Sequence, residues 1–263
     1  MSVIGKVDSL WRYPVKSMRG EELDKAFVGF AGVYGDRLFA FRDSAAMAGF
    51  PYLTAREEEE MLLYTPRFRH PDKAAMPVNL AEAEDLPPGV TPIFADDEEF
   101  ALDIETPSGE VLAIGDAALI ERLAARLKDK HALSLLRCDR PMTDCRPISL
   151  FSLQTGRQLG EEAGTAIDKR NFRANIYIEL EAPEGFAEDE LIGKNLRIGA
   201  KTVVTLLERD PRCKMIILDP DTAQSNPKIL RAVAQGHDGK AGVYGAVLVE
   251  GTVRPGDEIE LLS

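Results

Sequence analysis

Short stretches of alternating apolar and polar residues, cut by glycine and proline, most constrain what this 263-residue chain can fold into. Val3–Tyr13 sets Val, Ile, Val, Leu, Trp and Tyr in near alternation. Glu22–Phe30 and Arg37–Arg42 are further strand candidates, parted by Gly32 and Gly35. Ala132–Arg137, Arg173–Leu180, Gly242–Val249 and Glu258–Leu262 are also expected strands, and Leu196–Leu207 gives two strands around Gly199-Ala-Lys201. A period of two places every second side chain on one face, which a helix cannot use. Only three segments repeat at helical spacing. Asp116–Lys130 has Ala117, Leu119, Ile120, Leu123 and Leu127 on one face, with Lys128 and Lys130 at its end; Leu153–Ala163 is the second. The third runs from Asn226-Pro227 to Ala234, with Asn as N-cap and Pro at N1. Many short strands, glycine turns and few helices predict an α+β protein that is mainly β and rich in β-barrel.

Charge excludes some partners. The formal net charge is −12, which argues against nucleic acid and anionic membranes, whose binding takes dense Lys and Arg. Nine of those twelve charges fall in residues 73–110, where Lys73 is alone against ten acidic side chains. The prolines Pro77, Pro87, Pro88 and Pro92 make 73–92 an expected exposed loop, continued by the acidic tract Asp96–Glu99. Such a tract would steer a basic partner protein. The start lacks the apolar core of a signal peptide and no run of 18 apolar residues exists, so a cytoplasmic protein with no membrane span is expected. Cys138, Cys145 and Cys213 are too few for a disulfide framework.

The chemistry-bearing motifs are cation-bearing turns. The histidines at 70, 131 and 237 share no ligand spacing, and HExxH, CxxC, GxGxxG, Walker A and GxSxG patterns are absent. Pro14 ends the first strand and leaves Lys16 and Ser17 in a turn. Arg37 follows the glycine turn at Gly35, and Arg56 stands in Leu53-Thr-Ala-Arg56. Arg173 and Asn175, two apart, are expected on one face of a strand. Cys213 lies between Arg212 and Lys214; flanking cations favour the thiolate, which is both nucleophile and soft metal ligand, while Asp210 opposes that shift.

Taken in order, these motifs resemble the MOSC family with its N-terminal MOSC β-barrel domain, whose relatives include the amidoxime-reducing components and bacterial reductases of N-hydroxylated compounds. The resemblance rests on Tyr13-Pro-Val-Lys-Ser17, Gly35-Asp-Arg-Leu-Phe39, Thr54-Ala-Arg56, Asn171-Phe-Arg-Ala-Asn-Ile176, Arg212-Cys213, Leu218-Asp-Pro-Asp-Thr222, Gly242-Val-Tyr244 and Gly251 to Asp257. It implies two units, 1–112 and 113–263, the second holding the cofactor site. It also implies a molybdenum cofactor of the molybdopterin type, ligated through its metal by Cys213. Lys16, Ser17, Arg37, Thr54, Arg56, Arg173, Asn175, Arg212 and Tyr244 fall at cofactor-holding motifs, and Asp144, in Thr143-Asp-Cys-Arg-Pro147, falls where the relatives have a site aspartate. The implied activity is reduction of small N-hydroxylated compounds with electrons from a separate flavin or iron–sulfur protein, since the chain has no cysteines for an iron–sulfur domain of its own. The alternative is a carrier of persulfide sulfur on Cys213, or of the cofactor itself, without turnover. MOSC domains are also associated with pyridoxal phosphate through their sulfurase kinship; no lysine here argues for a Schiff base. One position departs from the relatives: Pro211, two before the cysteine, has no N–H to offer a cofactor.

Overall fold

The computed structural model describes residues 2–80, 95–127 and 132–262. Seven strands close into a barrel: β1 (Ser2–Arg12), β10 (Ile148–Ser152), β11 (Ile176–Leu180), β12 (Asn195–Ile198), β13 (Thr202–Pro211), β14 (Lys240–Val249) and β16 (Glu258–Leu261). The order runs β11-β10-β14-β13-β12-β16-β1, and β1 returns to pair with β11, so the barrel has no open edge. Short β2 (Glu21–Leu23) extends β1 outside the closed ring. All ring pairs are antiparallel except β10 with β11. A parallel pair needs a crossover, and helix Leu153–Ala163 supplies it, capped by the Ser152 side chain and ended by Gly164 in the left-handed region (φ 60°). Its bounds are those read from the sequence.

Three smaller sheets pack around the ring. β3 (Ala26–Gly29) and β4 (Gly32–Val33) pair with β15 (Gly251–Val253); β5 (Phe39–Asp43) pairs with β9 (Leu133–Arg137); β6 (Thr65–Phe68), β7 (Leu102–Glu105) and β8 (Val111–Ala113) form the third. Among the described residues the other helices are Pro71–Ala75, Ala117–Ala125 and Pro227–Gly236. The protein is mainly β, as its alternation predicts. The chain is interlaced: β1, from the N-terminal end, closes the ring built from residues 148–261, and β15 returns to β3.

Two apolar clusters account for the strand sequences. Val7, Leu10, Leu150, Ile176, Ile178, Val204, Val243 and Ile259 fill the ring interior, while Phe41, Leu53, Met61, Phe100, Phe151 and Tyr177 fill the layer between ring and small sheets. Phe151 and Tyr177 therefore face the opposite cluster from Leu150 and Ile176, their chain neighbours. A strand covered on both faces carries apolar residues in succession. This is why Ile148–Ser152, buried at every position, escapes a search for alternation.

Other expectations are corrected. The strand expected at Arg173–Leu180 begins at Ile176; Arg173 instead ends the 3₁₀ turn Lys169–Phe172 in the left-handed region (φ 51°). The strand expected from Glu22 is broken between Leu23 and Ala26, and Thr65–Phe68 is a strand the sequence did not reveal. The helix expected over 116–130 is described as Ala117–Ala125, with Asp116 as N-cap; Lys128 and Lys130 lie outside the described residues, as do most of the expected 73–92 loop and His131. The described part of that loop is partly helical, with Ala74 fully buried.

A cation-lined cleft beside the barrel mouth

The site is built from two clasped turns. Pro14 stops β1, and the chain turns through Ser17 at φ 66°. Arg37 sits at φ 45°, its N–H donating to Tyr13 O at 2.7 Å, while Tyr13 N–H donates to Asp36 Oδ1 at 2.8 Å and Lys16 N–H to Phe39 O at 2.8 Å. The Tyr13 ring, 2% exposed, lies under two guanidiniums: Arg37 at 4.7 Å and Arg173 at 4.2 Å from its centroid.

Around this platform a cleft of about 740 Å³, counting its open mouth, is lined by all eleven residues singled out from the sequence: Lys16, Ser17, Arg37, Thr54, Arg56, Asp144, Arg173, Asn175, Arg212, Cys213 and Tyr244. Lys16, 4% exposed, donates to Met142 O at 2.8 Å and is ion-paired with Asp144. Burial lowers the Lys16 pKa against the opposing pull of Asp144. Burial would raise Asp144, yet Lys16, Arg37 and Arg56 outweigh it and hold it below the usual carboxylate value. Arg37 pairs with Asp36 at 2.5 Å and donates to Arg173 O at 3.0 Å; burial works against its charge, but Asp36 and Tyr13 together hold its pKa above the ordinary value. Burial, with the like charge of Arg37 adding, brings Arg173 down to about 10.

The structure separates these residues by what they do for the fold. Thr54 Oγ1 donates to Glu57 Oε2 at 2.6 Å and accepts from Arg56 Nε at 3.1 Å, which lays Arg56 over the Phe50 ring. Asn175, 1% exposed, accepts from Ser149 N–H and donates to Trp11 O at 3.4 Å, tying the start of β11 to β10 and β1. Arg212 donates to Ala241 O at 2.7 Å and Phe172 O at 2.9 Å and lies 2.7 Å from Asp210. Of the two cations that flank Cys213, Lys214 pairs with Glu59 at 2.7 Å and donates to Arg56 O at 2.9 Å, so both have partners of their own. Cys213 itself, half-buried, opens the 3₁₀ turn Lys214–Ile217 on the cleft wall. The shared strand face expected for Arg173 and Asn175 is corrected, because Arg173 precedes the strand; both reach the cleft through the turn at 173.

Sequence reading missed Tyr13 as the guanidinium platform, Asp36 as the partner of Arg37, and Asp210 as a cleft residue. Alternation offered one signal: Asp210, 3% exposed, sits at a buried position near the end of β13. Burial raises it to about 6 against Arg212 and Tyr244, and burial together with Asp210 raises Tyr244 well above the ordinary phenol value.

The cleft carries a surplus of positive charge. Six cations line it (Lys16, Arg37, Arg56, Arg146, Arg173 and Arg212) against Asp144 and Asp210, with Asp36 and Glu208 pairing from behind. Arg56 and Arg173 have no carboxylate within 4 Å among the described residues, and Arg173 Nη2 is buried without a hydrogen-bond partner. A surplus of two cations with an unused donor fits an anion of charge near −2, such as a phosphate ester. The same residues depend on a backbone hinge at Tyr177, whose fully buried hydroxyl accepts from Ala174 N–H at 3.2 Å and donates to Lys169 O at 2.9 Å. Tyr177→Phe leaves both groups unpaired and is expected to destabilise by roughly 1–3 kcal/mol, read as a lower urea midpoint with an unchanged slope.

A closed seven-stranded ring with small flanking sheets defines a β-barrel protein, and its cation-rich cleft carries one cysteine. Residues 4–118 match the MOSC N-terminal beta barrel domain and residues 138–260 match the MOSC domain. The chain belongs to the MOSC-domain proteins. It is 24% identical over 247 residues to mitochondrial amidoxime reducing component 2 of Bos taurus, covering 83% of this chain and 68% of the relative. Among solved structures it is similar to the YuaD protein from Bacillus subtilis (15% identity, 98% of this chain and 94% of the other, TM-score 0.48) and to YiiM from Geobacillus stearothermophilus (22%, 45% and 55%, TM-score 0.35). No helix among the described residues is long and apolar enough to cross a membrane.

Proposed function

We propose that the protein is a molybdenum-cofactor-dependent reductase of small N-hydroxylated compounds that takes electrons from a separate flavin or iron–sulfur protein. The observation that carries this reading is the placement of Cys213 in the same cleft as the uncompensated cations Arg56 and Arg173. One wall offers a cysteine sulfur, a soft ligand suited to a metal already held by sulfur; the other offers fixed positive charge for a phosphate. When bound, the cofactor supplies the two-electron redox chemistry. The chain supplies the rest. Arg56 and Arg173 hold the anionic end, with Lys16, Ser17 and Arg37 presenting the strained turn around it. Arg212 and Asn175 act by position: Arg212 pins the segment leading to Cys213 against Ala241 and Phe172, and Asn175 fixes the strand start beside it. Asp144 and Tyr244 face the reacting region from the rim and the neighbouring strand. Pro211 contributes no donor, so the cofactor contacts come from side chains and from the turns.

Protein made in a cofactor-competent host should contain molybdenum and pterin near one per chain, measured by elemental analysis and by fluorescence of the oxidised pterin. It should reduce an aryl amidoxime to the amidine with a reduced donor present. Turnover by molybdenum-free protein, or loaded protein without turnover, overturns the reading.

A further inference from the structure

We propose that Asp210, held between Tyr244 and Arg212 on the cleft wall, delivers a proton consumed in the reduction. This inference rests on the reading above and assigns a role to a residue that none of the site motifs contains. Asp210 is 3% exposed yet lines the cleft, three residues before Cys213 on the same segment. The other carboxylate lining the cleft, Asp144, is ion-paired with Lys16 and held ionised. Every group facing Asp210 has a defined part. Arg212 lies 2.7 Å away on its own segment, and Tyr244 shares a hydrogen bond with it from β14. Asp144 and Arg37 act across the cleft, the first raising and the second lowering its proton affinity.

The chemistry requires such a group. Reducing R–NH–OH to R–NH₂ and water breaks the N–O bond, forms one N–H and one O–H bond, and consumes two electrons and two protons. The two electrons would come from the separate flavin or iron–sulfur donor, and the cofactor, when bound, would supply the redox chemistry. The protons come from solvent, and Asp210 is the buried carboxyl on the cleft wall placed to relay them, since the other lining carboxylate, Asp144, is ion-paired with Lys16. A carboxyl raised by burial to about 6 is poised to give a proton and regain it from solvent. Because its protonated form is the active one, turnover falls as pH rises through the value of this group.

The test compares wild type, Asp210→Asn and Asp210→Glu at saturating donor. Asp210→Asn is expected to lower kcat by about 10²-fold or more, in the range of general-acid removal, and to lose the alkaline fall of the pH profile while molybdenum content stays unchanged. Asp210→Glu keeps a carboxyl and is expected to retain that fall. A second readout needs no turnover. Infrared difference spectra of wild type without cofactor should show protonated-carboxyl intensity that disappears as pH rises through about 6 and is smaller by one carboxyl in Asp210→Asn. Asp189, paired with Arg209, titrates in the same range, and the variant subtracts it. An Asp210→Asn enzyme with wild-type kcat and an intact alkaline fall overturns the proposal. So does a wild-type spectrum identical to that of the variant. Loaded wild type that turns over nothing overturns the underlying function reading, and is recognised before any substitution is made.

Discussion

Replacing Cys213 with alanine should remove molybdenum and turnover together while the fold stays intact. Losing an outer-shell partner of a metal ligand lowers metal affinity by roughly 10–100-fold; removing the ligand itself should exceed that, so molybdenum should fall to background in purified protein. Amidoxime reduction should fall with it. The fold should tolerate the change. The thiol is half-buried and makes no side-chain cap to the turn it opens, and such a site shifts stability by less than about 1 kcal/mol. Three measurements on one preparation check this: elemental molybdenum, turnover, and the urea midpoint. A Cys213→Ala protein that keeps molybdenum and activity sinks the metal-ligand role. Wild type that accepts sulfur from a cysteine desulfurase as a Cys213 persulfide, with no molybdenum in any preparation, points to the carrier function instead.

Arg12→Ala should produce the largest loss of stability. Arg12 is 3% exposed, and its guanidinium serves four neighbours. Nε donates to Glu21 at 2.8 Å, Nη1 donates to Tyr34 O at 3.2 Å and to Ala74 O, and the group lies 4.7 Å from the Phe68 ring centroid. It joins the end of β1 to β2, to the turn before Arg37 and to helix Pro71–Ala75. Gly35 is small for this reason: a Cβ there would lie 2.6 Å from Arg12 Nη1, at a φ of 81°. Truncation leaves two buried carbonyls unpaired and opens a cavity, for an expected loss of about 3–5 kcal/mol. That corresponds to a melting temperature lower by roughly 10 °C or more in a chain of this length. Arg12→Lys should recover little, because one ammonium cannot reproduce the planar fork. Calorimetry on both variants checks the prediction; a change below 1 kcal/mol in Arg12→Ala would show that the network contributes nothing net.

The legible part of the site is its turns. Pro14 and Gly35 mark where the chain leaves β1 and enters β5, and the cations behind them reach one cleft. What each cation does there was not legible. Lys16 meets Asp144 across 128 residues of sequence, and Arg37 meets the Arg173 carbonyl across 136. Nor was it legible that the two cations flanking Cys213 take carboxylate partners, Arg212 with Asp210 and Lys214 with Glu59.

The sequence by itself determined the strands that alternate, most of the turns that part them, and the crossover helix. These depend on backbone dihedral preferences, on period and on caps, and all three act between near neighbours. Tertiary structure alone decided that β1 closes the ring, that Arg173 turns rather than extends, and which charges are left over for a ligand. Those outcomes depend on burial and ion pairing between segments more than a hundred residues apart, where Coulomb energy and desolvation follow distance in space and not position along the chain.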